Sequence, residues 1–364
     1  RQAKARGRDI IDLGIGDPDL PTPGHIIKAL HKASLDPDNH HYALDSGMPR
    51  LRQAIAKWYK KRFKVELDPD TEVLPLIGSK EGIAHIPLAF INPGDYVLVP
   101  DPCYPPYKNG TIFAGGMPYL MPLLAENDFL PDLGRIGADV VNKAKMIFVN
   151  YPNNPTGAVA DEEFYKKVLD FAHRNNILIC SDAAYSEVCY DKYRPMSILQ
   201  MIGAKDRVVE FHSLSKTYNM TGWRIGWACG NKKAIQGLAK VKSNIDSGIF
   251  QAVQSAGIAA LEGPQDAVAK ANKTYKERRD ALVNGLNSLG WKVPKPKASF
   301  YVWAKNLPGY NSSSLARALL EKADIIVTPG NGFGRYGEGY IRMALTVSKD
   351  RIKTAVQRIK KFLK

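Results

Sequence analysis

Cysteine is scarce in this chain, with only 4 among 364 residues. None of the four (Cys103, Cys180, Cys189 and Cys229) forms a CxxC pair, so their spacing gives no indication of a zinc site or a dithiol redox motif. Cys180 and Cys229 also lie in apolar runs that are typical of buried strands. We therefore expect a reduced protein without a metal site, for which the cytoplasm is the simplest location.

The sequence also lacks long hydrophobic runs. No apolar stretch reaches the ~18 residues of a membrane-spanning helix. The charged stretch Arg1–Asp9 contains no apolar segment of the kind found in secretion signals. Because 45% of the residues are hydrophobic and 24% are charged, the composition is that of a globular protein with a sizeable core. We expect no membrane partner, and the length allows two or three domains.

Acidic residues are outnumbered, with 36 Asp and Glu against 51 Lys and Arg, which gives a net charge of +15. The basic residues are mixed with acidic ones in most segments. The main basic runs, Lys57–Lys64 and Arg351–Lys364, have helical spacing, and Ile352, Val356 and Ile359 form an apolar face in the second. A solvated helix surface explains these runs better than a nucleic-acid interface does. We expect no nucleic-acid partner, and the positive field would favour small anionic substrates.

Short apolar runs alternate with amphipathic segments in the middle of the chain. The segment Asp161–Asn175 is predicted to be a helix that Asp161 caps. Alternating strands and helices predict an α/β fold with a mostly parallel sheet between layers of helices. The predicted strands are Leu74–Ile77, Tyr96–Pro100, Met146–Val149, Ile177–Cys180, Val208–Phe211 and Ile225–Cys229.

The C-terminal third has a different pattern, which predicts a smaller α+β domain. Ala267–Leu289 is typical of a long charged helix, and Ser299–Trp303, Ile325–Thr328 and Tyr340–Ala344 are typical of short strands. We therefore expect residues 1–42 to form an N-terminal arm and part of the small domain, residues 43–260 the large domain, and residues 261–364 the small domain. The arm is expected to pack against the small domain or to reach a neighbouring subunit.

Polar motifs follow the predicted strands, at the end of a parallel sheet where ligands bind. The most informative is the segment Ser213–Lys216, with Arg224 eight residues after the lysine. Most lysines in polar loops are only solvated, but a reactive lysine needs the desolvation or the cationic neighbours that this position offers. Serine hydroxyls and a guanidinium group are suited to binding a phosphate. This motif therefore predicts a reactive lysine beside a phosphate site.

Three further motifs are weaker when each is taken alone. Asn150–Gly157 has the composition of a plain turn. Asp182, at the end of a strand, is suited to holding a pyridinium nitrogen protonated, although such a residue is more often a helix cap. Gly78–Gly82 reads as a tight turn into a helix N-terminus, where backbone N–H groups bind phosphate. It lacks the GxxxxGK[ST] pattern, so it does not imply a nucleotide.

Taken together and in this order, the motifs resemble those of the fold-type I aminotransferases, the aspartate aminotransferase superfamily. The resemblance extends over nearly the whole chain, from Asp12–Asp19 to Tyr340–Ala344. It implies the fold of type I pyridoxal-phosphate-dependent transferases, with a large domain and a smaller α+β domain. It also implies pyridoxal 5'-phosphate as the cofactor and a homodimer with shared active sites.

The resemblance assigns roles to residues by matching position. Lys216 would form the Schiff base with the cofactor and move the proton, and Asp182 and Tyr185 would be its catalytic neighbours. Arg342 would bind the substrate α-carboxylate, with Gly16 nearby. The implied cofactor contacts are Ser79, Lys80, Tyr104, Asn154, Asp182, Tyr185, Ser213, Ser215, Lys216, Arg224 and, from the second subunit, Tyr42. Substrate contacts are also implied for Tyr42, Lys80, Tyr104 and Asn154.

Five strings are similar to those of the LL-diaminopimelate aminotransferases: IDLGIGDPDLPTP, HHYALDSG, GSKEGIAH, PNNPTGAVA and PGNGFGRYGEGYIRMALT. This narrower resemblance implies amino transfer between LL-2,6-diaminopimelate and 2-oxoglutarate in lysine biosynthesis. It also implies that Asp45 recognises the distal ammonium group, where plant-type enzymes carry Glu, and that Asn244 comes from the partner subunit. Asp45 as an ordinary loop residue remains an alternative.

Other functions remain open on this scaffold. The first is a broader alanine-, aspartate- or aromatic-type aminotransferase. The second is a regulator that keeps the fold and the cofactor, although no helix-turn-helix pattern precedes Asp9. The third is β-elimination or decarboxylation, because the reaction depends on a bond orientation that the sequence does not reveal.

Overall fold

A seven-stranded sheet forms the centre of the part of the chain that the computed structural model describes, residues 7–364. Residues 1–6, at the start of the predicted arm, lie outside the described residues. The strands are β1 (Ile11–Asp12), β2 (Val73–Leu76), β3 (Tyr96–Asp101), β4 (Met117–Pro122), β5 (Ala144–Asn150), β6 (Leu178–Asp182), β7 (Val208–Ser213), β8 (Gly226–Gly230), β9 (Tyr301–Lys305), β10 (Ile325–Ile326), β11 (Thr328–Pro329) and β12 (Tyr340–Ala344).

The large sheet has the strand order β2-β8-β7-β6-β5-β3-β4. Its pairs from β7 to β4 are parallel, whereas β8 runs antiparallel to both β7 and β2. The mostly parallel α/β fold predicted from the sequence is therefore confirmed. The six strands predicted for this region correspond to β2, β3 and β5 to β8, and the ends of each differ from the prediction by at most two residues.

Helices cover both faces of this sheet, as the strand residues indicate. Along β5, Ile147 and Val149 belong to one buried cluster, whereas Met146 and Phe148 belong to another on the opposite face. A strand that is buried on both faces reads as a continuous apolar run, which is the pattern of parallel sheets. The helices are α1 (Gly24–Ser34), α2 (Pro49–Phe63), α3 (Ser79–Phe90), α4 (Pro106–Phe113), α5 (Ala138–Lys143), α6 (Glu162–Asn175), α7 (Leu214–Thr217), α8 (Lys232–Lys242), α9 (Gln251–Glu262), α10 (Asp266–Ser288), α11 (Ser312–Ala323) and α12 (Lys349–Phe362).

Helix α6 begins as the sequence predicts. The Asp161 carboxylate accepts a hydrogen bond from the backbone N–H of Phe164 at 2.9 Å, which satisfies one of the free donors of the first turn. Glu162 and Glu163 place negative charge at the same end, where the helix dipole favours it. The apolar side of the helix, which includes Val168 and Ala172, is buried against the large sheet.

The C-terminal part of the chain builds a second core around an antiparallel sheet of β11, β12 and β9. The prediction of one strand over residues 325–328 is wrong. Ile325 and Ile326 of β10 pair in parallel with β1, whereas β11 pairs with β12, so the two short strands belong to different sheets. The apolar run gave no sign of this break because apolar character does not identify the strand with which each residue pairs.

The N-terminal segment joins the two parts of the molecule. Ile11 and Leu13 are buried in the core of the C-terminal part, whereas Ile26 of α1 belongs to the core beside the large sheet. We propose that the chain divides near residue 260, because the second core is built largely from residues after that point. The four cysteines are free and buried. Within residues 7–364, every helix is too short or too polar to span a membrane.

Candidate active site

A cavity of about 570 Å³ lies at the carboxyl ends of β5, β6 and β7, and side chains from β9 and β12 border it. Every site residue predicted from the sequence lines this cavity except Tyr42, Asp45 and Asn244. Parallel strands bring their carboxyl ends to one edge of a sheet, which explains why motifs far apart in sequence meet here. The lining residues are Gly16, Ser79, Lys80, Tyr104, Pro105, Asn150, Asn154, Asp182, Ala184, Tyr185, Ser213, Ser215, Lys216, Thr221, Arg224, Tyr301, Phe333 and Arg342.

Lys216 lies in the short helix α7, directly after β7. Its ammonium group donates a hydrogen bond to the backbone oxygen of Gly16 at 3.0 Å. Burial lowers the pKa of Lys216 to about 8; the Asp17 carboxylate opposes this shift, and the guanidinium groups of Arg224 and Arg342 add to it. At pH 7 a pKa of about 8 leaves roughly one tenth of the side chain as the neutral amine, which is the nucleophilic form and is far rarer for an ordinary lysine.

Asp182 is the last residue of β6 and is buried. Tyr107 donates its hydroxyl hydrogen to Oδ2 at 2.7 Å, and the backbone N–H of Ala184 donates to Oδ1 at 3.2 Å. Burial raises the pKa of Asp182, and these two hydrogen bonds oppose the rise. The next helical turn begins only at Ile198, so the side chain does not cap a helix. The carboxylate is held in one orientation at the wall of the cavity.

The segment Asn150–Gly157 is a turn, as its composition indicates, and it also presents a side chain to the cavity. Its amides bind one another: the Asn150 side chain accepts from the N–H of Asn154, and the Asn153 side chain accepts from Thr156. The Asn154 side-chain oxygen remains available, and Arg342 donates to it at 2.8 Å. Asn153 is therefore structural, whereas Asn154 belongs to the cavity.

Arg342 lies in the middle of β12 and is buried. Its guanidinium carbon is 4.1 Å from the ring centroid of Tyr301 and 4.6 Å from that of Phe333, so two aromatic rings hold the group. One nitrogen donates to the backbone oxygen of Gly14 at 2.9 Å, while the buried Nε has no hydrogen-bond partner within residues 7–364. A buried cation with an unused donor is suited to an anionic ligand group such as a carboxylate.

The opposite end of the cavity is built by the turn into helix α3 and by Arg224. A side chain at Gly78 would place its Cβ 2.3 Å from a nitrogen of Arg224, so only glycine lets the guanidinium lie against this turn. Arg224 itself adopts φ 54° and donates to the backbone oxygens of Thr221 and Ile77. A helix N-terminus, a guanidinium group and the hydroxyls of the lining serines together fit a phosphate.

Several residues that line the cavity or support its wall were not predicted from the sequence. Tyr107 lies one helical turn after Tyr104, and this spacing is the only sequence feature that could have revealed it. Tyr301 and Phe333 come from the C-terminal part, and their sequence context gives no such indication. The Tyr301 hydroxyl is 3.0 Å from that of Tyr185. A Cβ at Gly16 would lie 1.9 Å from the Tyr301 hydroxyl, which requires glycine there.

Tyr42, Asp45 and Asn244 do not line the cavity of their own chain. All three are exposed, Tyr42 to 93%. The segments that carry them are in contact, because a Cβ at Gly248 would lie only 2.2 Å from the backbone oxygen of Leu44. The side chain of Gln251 also donates to the backbone oxygen of residue 38 at 3.2 Å. The contribution of these residues to the site of a second subunit stays a prediction.

Comparisons with known proteins extend over nearly the full chain. Residues 8–359 match the family model described as aminotransferase class I and II. The chain is 58% identical over 362 residues to LL-diaminopimelate aminotransferase of Moorella thermoacetica, covering 100% of this chain and 93% of the relative. The apo-BacF structure from Bacillus subtilis has a TM-score of 0.96 at 42% identity, covering 99% of this chain and 92% of that one. A mutant aspartate aminotransferase of Thermus thermophilus has a TM-score of 0.93 at 31% identity, covering 99% and 94%.

Proposed function

Because the chain belongs to the class I and II aminotransferase family, we propose that it transfers an amino group between LL-2,6-diaminopimelate and 2-oxoglutarate. The identity of 58% over the whole chain to a relative named for this substrate carries the proposal. The structure named as an aspartate aminotransferase is only 31% identical. Lysine biosynthesis is the pathway that this activity would serve, and a cytoplasmic location stays a prediction.

The residues of the cavity fit pyridoxal 5'-phosphate as the cofactor. Ser79, Arg224 and the N-terminus of α3 would hold its phosphate, together with the hydroxyls of Ser213 and Ser215. The buried Asp182 carboxylate would bind the ring nitrogen, which needs an acceptor of this charge. When bound, the cofactor supplies an electron sink for the electrons that the substrate Cα–H bond leaves behind.

The remaining cavity residues would act on the ring and on the substrate. Tyr104 would stack on the cofactor ring, and Tyr185 and Asn154 would bind its oxygen substituent. The Lys216 amine would take the proton from the substrate Cα and deliver it to the C4' carbon of the cofactor. It can accept the proton because its lowered pKa leaves it partly neutral.

The substrate α-carboxylate would bind Arg342, whose buried Nε has no partner among the described residues. The Tyr301 and Phe333 rings hold the guanidinium plane, so the carboxylate would meet an oriented pair of donors. Gly16, Lys80 and Tyr104 border the same space and would contact the substrate from the sides.

The proposed substrate is tested by single half-reactions of the purified holoenzyme with a panel of amino acids. The absorbance of the bound cofactor changes when it accepts the amino group, so each substrate is measured directly. We expect LL-diaminopimelate and glutamate to react rapidly, and aspartate, alanine and aromatic amino acids to react slowly. Fast reaction with the second group and none with diaminopimelate would leave only the broader aminotransferase alternative.

We propose a homodimer in which Tyr42, Asp45 and Asn244 complete the cavity of the partner. The contact between the segments that carry them supports this arrangement, because the three residues would then reach the partner from one surface. Apolar side chains are exposed on the same segments, namely Leu44 (63%), Ile245 (51%) and Phe250 (46%). Their burial in an interface would favour association.

Hybrid dimers test the shared site. A Lys216→Ala chain and a Tyr42→Phe/Asn244→Ala chain are each expected to be inactive as homodimers. After subunit exchange, the hybrid would contain one site with both an intact Lys216 and intact donated residues. We expect activity to return to roughly one quarter of the wild-type value at equal mixing, because half of the dimers are hybrids with one working site of two. Confirmed exchange without recovery would refute shared sites.

Asp45 is proposed to accept a hydrogen bond from the distal ammonium group of LL-diaminopimelate. Glutamate has no such group, so Asp45→Asn should weaken diaminopimelate turnover selectively. The loss of one charged hydrogen bond is worth about 1.5–3 kcal/mol, or roughly 10- to 100-fold in relative kcat/KM. Asp38→Asn, a change in an exposed residue of the same segment, is the matched control. An equal fall for both substrates would mean that Asp45 is an ordinary loop residue.

A further inference from the structure

A buried lysine lies outside the cavity, at the end of helix α8. The side chain of Lys242 is only 1% exposed. Its ammonium group binds Glu81 at 3.2 Å, the Asp246 carboxylate, and the backbone oxygen of Ser247 at 3.5 Å. Removing an ammonium and two carboxylates from water is costly, so such a cluster is weak support for stability alone. The contacts of Lys242 with Glu81 and with Asp246 indicate a more specific role.

The first connection leads to the phosphate end of the cavity. Glu81 lies in the first turn of α3, and its second carboxylate oxygen accepts a hydrogen bond from the backbone N–H of Ile77 at 2.5 Å. The backbone oxygen of Ile77 in turn accepts from Arg224 at 3.4 Å. The next residue, Gly78, is the one that lies against the same guanidinium group. Glu81 therefore fixes the turn that supports Arg224 and leads into Ser79.

The Lys242 ammonium group favours the ionised form of the Glu81 carboxylate. Burial raises the pKa of Glu81 to about 6, while the Lys242 ammonium and the Ile77 N–H oppose the rise. Glu81, His85 and Asp246 lie within 4.8 Å of one another, which is also the spacing of a cation site. The Lys242 ammonium already supplies positive charge between the two carboxylates, so a further cation would be repelled there.

The second connection leads to the exposed segment that carries Asn244. The backbone N–H groups of Ile245 and Asp246 both donate to the backbone oxygen of Lys242, at 2.9 and 3.0 Å. The Asp246 side chain then binds the Lys242 ammonium, so the segment is folded back on the end of α8. Asn244 and Ile245 are exposed, and the Asn244 side chain donates to the backbone oxygen of Lys240 at 2.8 Å. The Lys242–Asp246 pair thus helps to hold the backbone segment that carries Asn244.

We infer that Lys242 is a positioning residue for two sites: for the phosphate end of its own cavity through Glu81, and for the cavity of a second copy of this chain through Asp246. The second part rests on the proposed function, because it requires shared active sites. The two carboxylates divide the roles, so they can be tested separately. Each single amide substitution leaves Lys242 paired with the other carboxylate and the buried charge balanced, so both variants are expected to fold.

Glu81→Gln should affect the phosphate end alone. We expect the cofactor-free variant to bind pyridoxal 5'-phosphate about tenfold more weakly, and its amides in residues 77–82 to exchange hydrogen faster. The ratio of diaminopimelate to glutamate turnover, measured at saturating cofactor, should not change. Asp280→Asn is the control, because this carboxylate binds Lys276, Arg279 and Lys295 in α10 and its surroundings and does not line the cavity.

Asp246→Asn should have the opposite pattern. We expect cofactor affinity to stay within twofold of wild type and hydrogen exchange in residues 243–248 to become faster. The ratio of diaminopimelate to glutamate turnover should fall about tenfold, because this segment packs through Gly248 on the segment that carries Asp45. Hybrid dimers with a single active site locate the effect. In such a dimer the working site belongs to the chain with the intact Lys216, and the Lys216→Ala chain supplies the donated residues. The fall should therefore occur when Asp246→Asn is on the Lys216→Ala chain, and not when it is on the other chain.

Two results would overturn the inference. If both variants lower the melting temperature and the cofactor affinity to the same extent, the cluster is only structural. If Asp246→Asn acts on the chain with the intact Lys216, the segment does not serve the partner. A wild-type enzyme without diaminopimelate turnover would refute the proposed substrate instead, while cofactor affinity and hydrogen exchange would still test the Glu81 connection.

Discussion

Lys216→Ala is expected to abolish covalent attachment of the cofactor and nearly all transamination. The variant should still bind pyridoxal 5'-phosphate, because the phosphate end of the cavity and Asp182 are unchanged. Its transamination rate should fall by roughly 10²- to 10⁴-fold or more, because a positioned proton-transfer group typically contributes a factor in this range. The loss follows from geometry, because Lys216 is the amine that burial and two guanidinium groups keep partly neutral inside the cavity.

The measurement is borohydride reduction followed by mass spectrometry of the peptides. In wild type, the cofactor should be fixed to the peptide that contains Lys216, and in the variant to no peptide. Lys80→Ala removes the other lysine that lines the cavity and should retain the covalent label. A reducible bond to another lysine in Lys216→Ala would show that the reactive lysine has been wrongly identified.

The pH dependence of attachment provides a second readout for Lys216. Its pKa is lowered from 10.5 to about 8, so the neutral amine becomes the major form above that pH. The initial rate at which cofactor-free protein captures pyridoxal 5'-phosphate should therefore rise with pH, reach half its maximum near pH 8 and level off about one pH unit higher. A rate that keeps rising to pH 10 would mean that the amine is not desolvated as the structure indicates.

Asp182→Asn is expected to leave the cofactor bound and to slow the proton transfer strongly. An amide keeps the shape of the side chain and still accepts the hydrogen bond from Tyr107, but it carries no charge to stabilise a protonated ring nitrogen. We expect a fall of roughly 10²- to 10⁴-fold in the single-turnover rate. Unchanged cofactor occupancy, measured by absorbance, separates this effect from loss of binding. Turnover near the wild-type value would remove Asp182 from the mechanism.

Tyr107→Phe is expected to slow the same proton transfer, but less than Asp182→Asn does. Removing the hydroxyl deletes a hydrogen bond that favours the ionised carboxylate, so the pKa of Asp182 should rise further. The expected loss in rate is about tenfold, smaller than for Asp182→Asn, because the charge itself remains available. Tyr190→Phe removes a buried hydroxyl that donates to the backbone oxygen of Ser299, and it is the control for the loss of a buried phenol group.

The sequence alone predicted the fold class, the family and most of the cavity. The strands could be predicted because a parallel sheet buries both faces, which leaves continuous apolar runs such as Met146–Val149. The site could be predicted because polar residues at the ends of such runs converge at one edge of the sheet. Lys216, Asp182 and Asn154 follow three different strands, and their side chains nevertheless line one cavity. The family is confirmed by the match over residues 8–359.

Only the tertiary structure revealed features that depend on which residues become neighbours in the folded chain. The apolar run at residues 325–328 divides between two sheets because its partners are β1 and β12. Tyr301 and Phe333 reach Arg342 from other segments of the C-terminal part. Lys242 and Glu81 are 161 residues apart, and neither local sequence indicates that the two side chains meet. Apolar periodicity reports which face of an element is buried, whereas the identity of the neighbour across that face is decided by packing.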